Sequence, residues 1–176
     1  MRFVDFLRTT VMLSAGAASA LALVTVLAAG LRSGTQLDLV VLGWWLLSVA
    51  TGLRLGRHEH ASPAIARLLA GARTSSSLPQ LHAGAILLNR LWPLALFTLL
   101  SGGLALLAPQ VPGIAAGFAI IWALAWRRQD AAVAAIEERD GACFYVRRTA
   151  PLQPIALVRA PGFKAARSER IDGAVG

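Results

Sequence analysis

The chain has 176 residues, 56% of them apolar and only 15% charged, against about 25% charged in a soluble domain. Its net charge is +8, with an isoelectric point near 11.5 and a mean hydropathy of +0.61. Long apolar runs flanked by arginine argue against an ordinary soluble domain and against nucleic acid as the partner, and point to a bilayer with anionic headgroups.

The first apolar run, Thr9 to Leu31, lies between Arg8 and Arg32 and holds no charge over 23 residues. At about 1.5 Å per residue it crosses a hydrocarbon core of about 30 Å. A signal peptide is the competing assignment, but the run exceeds an h-region of about 7–15 residues, so a retained helix is expected. The second run, 36–55, has Asp38 near its start and Arg54 at its end, with Trp44 and Trp45 in mid-span. Indoles so far from an interface are expected to pack on other helices.

The third run, 90–108, begins at Arg90, and the fourth, 112–128, ends at Arg127 and Arg128. Pro109, Pro112 and Gly113 break the chain between them, which makes a hairpin and not one long helix. The expected fold is an all-α integral membrane protein of four transmembrane helices in two hairpins. It carries a short interfacial helix and a small cytoplasmic C-terminal extension, a helix continuation plus a β-ribbon. The transmembrane domain is expected over 1–128 and the tail over 129–176.

Of the seventeen basic residues, only Arg32 falls on the side opposite the N-terminus in this arrangement. The excess of arginine beside cytoplasmic ends sets orientation, so both termini are expected in the cytoplasm of a multi-pass cell-membrane protein. Arg90 is then a border residue whose stem reaches the headgroups. No Asp or Glu lies inside the other apolar runs to pair with a buried arginine, and Asp38 sits at a span edge.

Between spans two and three, Ser62 before Pro63 has the form of an N-cap with proline at the first helical position. Ile65, Leu68, Leu69 and Ala72 follow at i, i+3, i+4 and i+7. An amphipathic helix over 62–73 is expected on the cytoplasmic surface, with Arg67 and Arg73 on its polar side. His58, Glu59 and His60 are the one metal-ligand candidate, and His82 follows later. Their spacing matches no zinc pattern, and solvated residues past a helix end account for them. No metal and no cofactor is expected.

Past Trp126 the residues stay helix-forming, so one helix from about Gly113 to Arg139 is expected, ended by Gly141. Phe144 to Val146 and Ile155 to Val158 favour strand. The single cysteine, Cys143, rules out an intramolecular disulfide. The carboxylates Asp130, Glu137, Glu138 and Asp140 read as charged helix surface, and no nucleotide loop, nucleophile elbow or CxxC is present.

No family resemblance emerges, and four apolar spans alone license no activity. The expected function is non-enzymatic: an accessory or scaffold protein acting through helix packing and a basic cytoplasmic face. Packing is expected at Gly113 and Gly117, and at Gly16 and Ala20, as small-xxx-small pairs; the partner is a membrane protein or a second copy. The basic face comprises Arg67, Arg73, Arg127, Arg128, Arg147, Arg148 and Arg159. A transporter component is the alternative, since Ser14, Ser19, Thr25, Ser48, Thr51, Thr98 and Ser101 offer mid-span hydroxyls. A membrane enzyme at the cytoplasmic interface is the third possibility.

Overall fold

The computed structural model describes residues 1–30, 35–57, 61–74, 83–108, 110–147, 153 and 155–161. The chain is mostly helical, in the order α1 (Phe3–Gly30), α2 (Thr35–Leu55), α3 (Pro63–Ala70), β1 (Arg73–Thr74), α4 (Ala83–Gly103), a 3-10 turn (Leu104–Leu106), α5 (Gln110–Trp126), α6 (Gln129–Asp140), β2 (Ala142–Arg147) and β3 (Ala156–Pro161). Two stretches among the described residues, Phe3–Gly30 and Gly84–Leu106, are long and apolar enough to cross a membrane, and Leu39–Leu55 is a shorter apolar helix.

The residues form two compact units, each discontinuous in sequence. The helical unit comprises Arg8–His58 and Leu91–Arg128, and the sheet-bearing unit comprises Met1–Leu7, Glu59–Arg90 and Gln129–Gly176.

In the helical unit α2 packs along α5. Added β-carbons on its glycines would meet residues in rising order on both helices: Gly113 against Val41, Gly117 against Ser48 and Trp44, and Gly52 against Ile121 and Leu124. The two helices therefore run parallel, and the tightest packing joins the second and fourth runs, not the neighbours of a hairpin. Leu21 of α1 completes a core with Ala115 and Ala116 of α5, and Trp45 packs against it. Many other large apolar side chains face outward, among them Leu46 (73% exposed), Leu99 (74%) and Leu106 (81%).

In the sheet-bearing unit the strand order is β1-β3-β2. β1 is parallel to β3, and β2 is antiparallel to it. Phe144, Val146 and Leu157 are buried, with Ile65 of α3 and Val133 of α6; α3 packs on β3 and α6 on β2. The first turns of α1 belong here: Phe3, Phe6 and Leu7 are buried, and the Met1 carbonyl accepts from the Val146 amide at 3.1 Å.

Several sequence expectations need correction. The β-ribbon expected in the tail is present as β2 and β3, but it is joined by β1 into a three-stranded sheet that the all-α description leaves out. The first helix starts at Phe3, ahead of Thr9, because its leading aromatic residues have a core to enter. The third starts at Ala83, well before Arg90, and runs through Pro93; proline there removes one bond of the ladder. The helix expected over 62–73 stops at Ala70, and Arg73 lies in β1. The helix expected from Gly113 to Arg139 is two helices with a turn at Arg127–Arg128. Gln129, the first residue of α6, is buried and accepts from the Ser62 amide at 2.9 Å, a tertiary bond that helix propensity does not encode.

Candidate functional site

The most tightly built site is the α2–α5 seam. Gly113 and Gly117 are buried. A β-carbon on Gly117 would overlap Trp44 Nε1 and lie 2.7 Å from Ser48 Oγ. The indoles of Trp44 and Trp45 donate to the Ile114 and Gly113 carbonyls at 3.1 and 2.8 Å, and Trp44 meets Phe118 edge-on at 5.3 Å. Each indole ties an α2 side chain to the α5 backbone.

Towards the other end the sizes reverse, and glycines of α2 receive bulk from α5. A β-carbon on Gly52 would lie 2.8 Å from Leu124 Cβ, and one on Gly56 would overlap the Leu124 carbonyl. Gly52 and Gly56 are a second small-xxx-small pair that sequence reasoning missed. The signal was there, "GLRLG", with an arginine in its middle.

Gly16 and Ala20 are exposed, and nothing lies within 4 Å of a β-carbon on Gly16. The buried stripe of α1 is Ser14, Ala18, Leu21 and Thr25. Spacing of i, i+4, i+7 and i+11 is one helix face, and Gly16 and Ala20 fall on another.

Among the mid-span hydroxyls, those of Ser19, Thr25 and Thr98 donate to the carbonyls four residues back, at 3.0, 2.8 and 2.8 Å, the usual outcome in an apolar helix. Ser14 Oγ and Ser48 Oγ are fully buried with no partner.

The arginines lie at the surface. Arg67 projects from α3, Arg73 from β1, Arg127 and Arg128 from the turn before α6, Arg147 from the end of β2 and Arg159 from β3, and all are exposed. Arg148 lies outside the described residues, as do His58, Glu59 and His60. Among the described residues no three His, Cys, Asp or Glu side chains gather as metal ligands. Arg90, two turns into α4, donates to the Gln153 carbonyl at 2.5 Å.

One carboxylate is internal. Glu137 is buried, accepts from Arg2 Nη2 at 2.6 Å and from the Phe144 amide at 2.8 Å. The hydrogen bond and charge of Glu137 raise the Arg2 guanidinium above its ordinary value. With both oxygens held, Glu137 links the N-terminus, α6 and β2. No family model, curated protein or solved structure matches the chain.

Proposed function

We propose that the protein is a four-span integral membrane protein with both termini in the cytoplasm. It has no catalytic role and acts as an accessory or scaffold component, whose basic surface engages anionic headgroups or an acidic membrane partner. The observation that carries the membrane part is the helical unit itself: a glycine-tight seam inside and a broad outward apolar surface, as a bilayer requires and water penalises. The parallel run of α2 and α5 supports four spans, since the second and fourth crossings share a direction.

The N-terminal segment supports retention of the first helix. A cleaved leader does not build a core, and Phe3, Phe6 and Leu7 are core residues of the unit that holds the C-terminal sheet. That shared unit also supports both termini on one side. The exposed arginines of α3, the sheet and the Arg127–Arg128 turn each contribute about 1 kcal/mol of attraction near an anionic leaflet.

The test is lipid retention. Arg67, Arg73, Arg147 and Arg159 are replaced together by Gln, and co-purifying phosphatidylglycerol is measured by native mass spectrometry against the wild type. Loss of most of the anionic lipid with insertion intact is expected; unchanged lipid sinks the basic-surface role. Transport is the second reading, favoured by the unpartnered Ser14 and Ser48 hydroxyls. Sustained solute flux in liposomes, lost in a Ser14→Ala/Ser48→Ala variant, would replace the scaffold reading with it.

A further inference from the structure

We infer that the chain is a tandem duplication: two copies of one helix–helix–short helix–strand module, with α2 of the first and α5 of the second forming the surface by which each copy binds the other.

The order of elements repeats. α1, α2, α3 and β1 are followed by α4, α5, α6 and β2. A shift of 70 residues carries one set of landmarks onto the other. Gly71 and Ala72 lead from α3 to β1, and Gly141 leads from α6 to Ala142, the first residue of β2. The same shift carries Val41 onto Val111, Gly43 onto Gly113 and Arg57 onto Arg127. Upstream the spacing widens: α1 and α4 each pass from the sheet-bearing to the helical unit beside an arginine, Arg8 and Arg90, which lie 82 residues apart.

The packing obeys this shift separately in each unit. In the helical unit Trp44 bonds Ile114, 70 residues on, and the other seam contacts lie on either side of that separation, from 68 for Trp45 with Gly113 to 73 for Trp44 with Gly117, so they centre on the shift. Unrelated helices have no reason to meet in the register that also aligns their flanking segments. Copies related by a two-fold axis along the helices do, because position i then faces its own equivalent.

The sheet gives the same result. Thr74 and Phe144, 70 residues apart, both pair with Arg159, from opposite sides. Arg73 pairs with Val158, and Cys143 with Ala160. A two-fold axis through Arg159 exchanges these pairs, carrying Arg73 onto Cys143 and Val158 onto Ala160. Within the sheet it also explains the directions: a two-fold axis reverses strands that cross it, so β1 and β2 flank β3 in opposite senses.

The copies have diverged at the seam so that unlike partners fit. Trp44 of α2 sits over Gly117, while Gly52 and Gly56 of α2 receive Leu124. Two α2 helices in this register would set Trp44 against Trp44 and glycine against glycine. A clash at one end and a void at the other select against that pairing. The partner of α2 is therefore the other copy in the same chain.

The test uses the full-length protein in two assays. The first rests on the membrane reading proposed above; the second does not. In liposomes, single spin labels at Val40, Gln110, Arg57 and Arg127 in a Cys143→Ser background report depth. Equal depth within about 3 Å is expected for 40 with 110, and for 57 with 127, that is within two residues of helix rise. In detergent, Ala160→Cys should cross-link to the native Cys143, and Arg73→Cys with Val158→Cys should cross-link in the Cys143→Ser background, since adjacent-strand pairs lie within disulfide reach. A depth difference of a full turn, about 5.4 Å, or one cross-link without the other, overturns the duplication. Labels that are all water-exposed overturn the membrane reading instead and leave the cross-links to decide the repeat.

Discussion

Glu137→Ala is the substitution whose cost follows most directly from the geometry. The Glu137 side chain is 5% exposed and holds two donors, the Phe144 amide at 2.8 Å and Arg2 at 2.6 Å. Removing it strands a buried N–H that had a charged acceptor, a loss of about 1.5–3 kcal/mol. The Arg2 side chain is 49% exposed, so solvent screens the ion pair and its share is under about 1 kcal/mol. The total, about 2–3 kcal/mol, corresponds to roughly a 30- to 150-fold change in an opening equilibrium. Hydrogen exchange of the peptide spanning 142–147, read by mass spectrometry in detergent, should speed up by that factor. Glu137→Gln keeps an acceptor for the Phe144 amide and loses only the charge, so it should stay within about tenfold of the wild type. Unchanged exchange in Glu137→Ala would refute the assignment of Glu137 as the link between the N-terminus and β2. Arg2 contributes no pH dependence below the ordinary arginine value: its folded pKa is raised, so its stabilisation is fully present below the unfolded value and is lost only above it.

Gly117→Ala forces a β-carbon into Trp44 and Ser48 and should cost about 1–3 kcal/mol, seen as a lower melting temperature in detergent. Gly16→Ala meets open space and should be neutral or stabilising by up to about 1 kcal/mol; a large loss there would show that the exposed face of α1 is an interface after all. Ser48→Ala removes a buried hydroxyl with no partner, so its melting temperature should equal or exceed that of the wild type, and a clear drop would mean that the hydroxyl holds something. Arg90→Lys should insert normally, since a second long cation reaches the same carbonyl, while Arg90→Ala loses that bond and should lower the melting temperature in detergent with insertion unchanged.

What the sequence made legible was local chemistry. Ser62 caps α3, accepting from the Ile65 amide at 3.4 Å with Pro63 at the first helical position. Gly141 closes α6 with a positive φ of 60°, the conformation glycine adopts without penalty. Trp44 and Trp45 pack on a neighbouring helix, as their mid-span position implied. What it hid was partnership over long separations. The stop at Arg127–Arg128 depends on Gln129 reaching Ser62, 67 residues away. β1 is two residues long, too short for any strand signal, and exists because β3 comes alongside. Gly16 and Ala20 are exposed, because small-xxx-small spacing says that two backbones can approach, not that they do so within one chain.

The central claim is four crossings with both termini in the cytoplasm. It is tested most directly by reporter fusions after Lys164 and after Ala108, at the turn between α4 and α5, scored in intact cells with an alkaline phosphatase and green fluorescent protein pair. A fluorescent, phosphatase-silent fusion after Lys164 together with a phosphatase-active fusion in the turn is the predicted result. An active phosphatase after Lys164, or the same signal at both positions, contradicts the account.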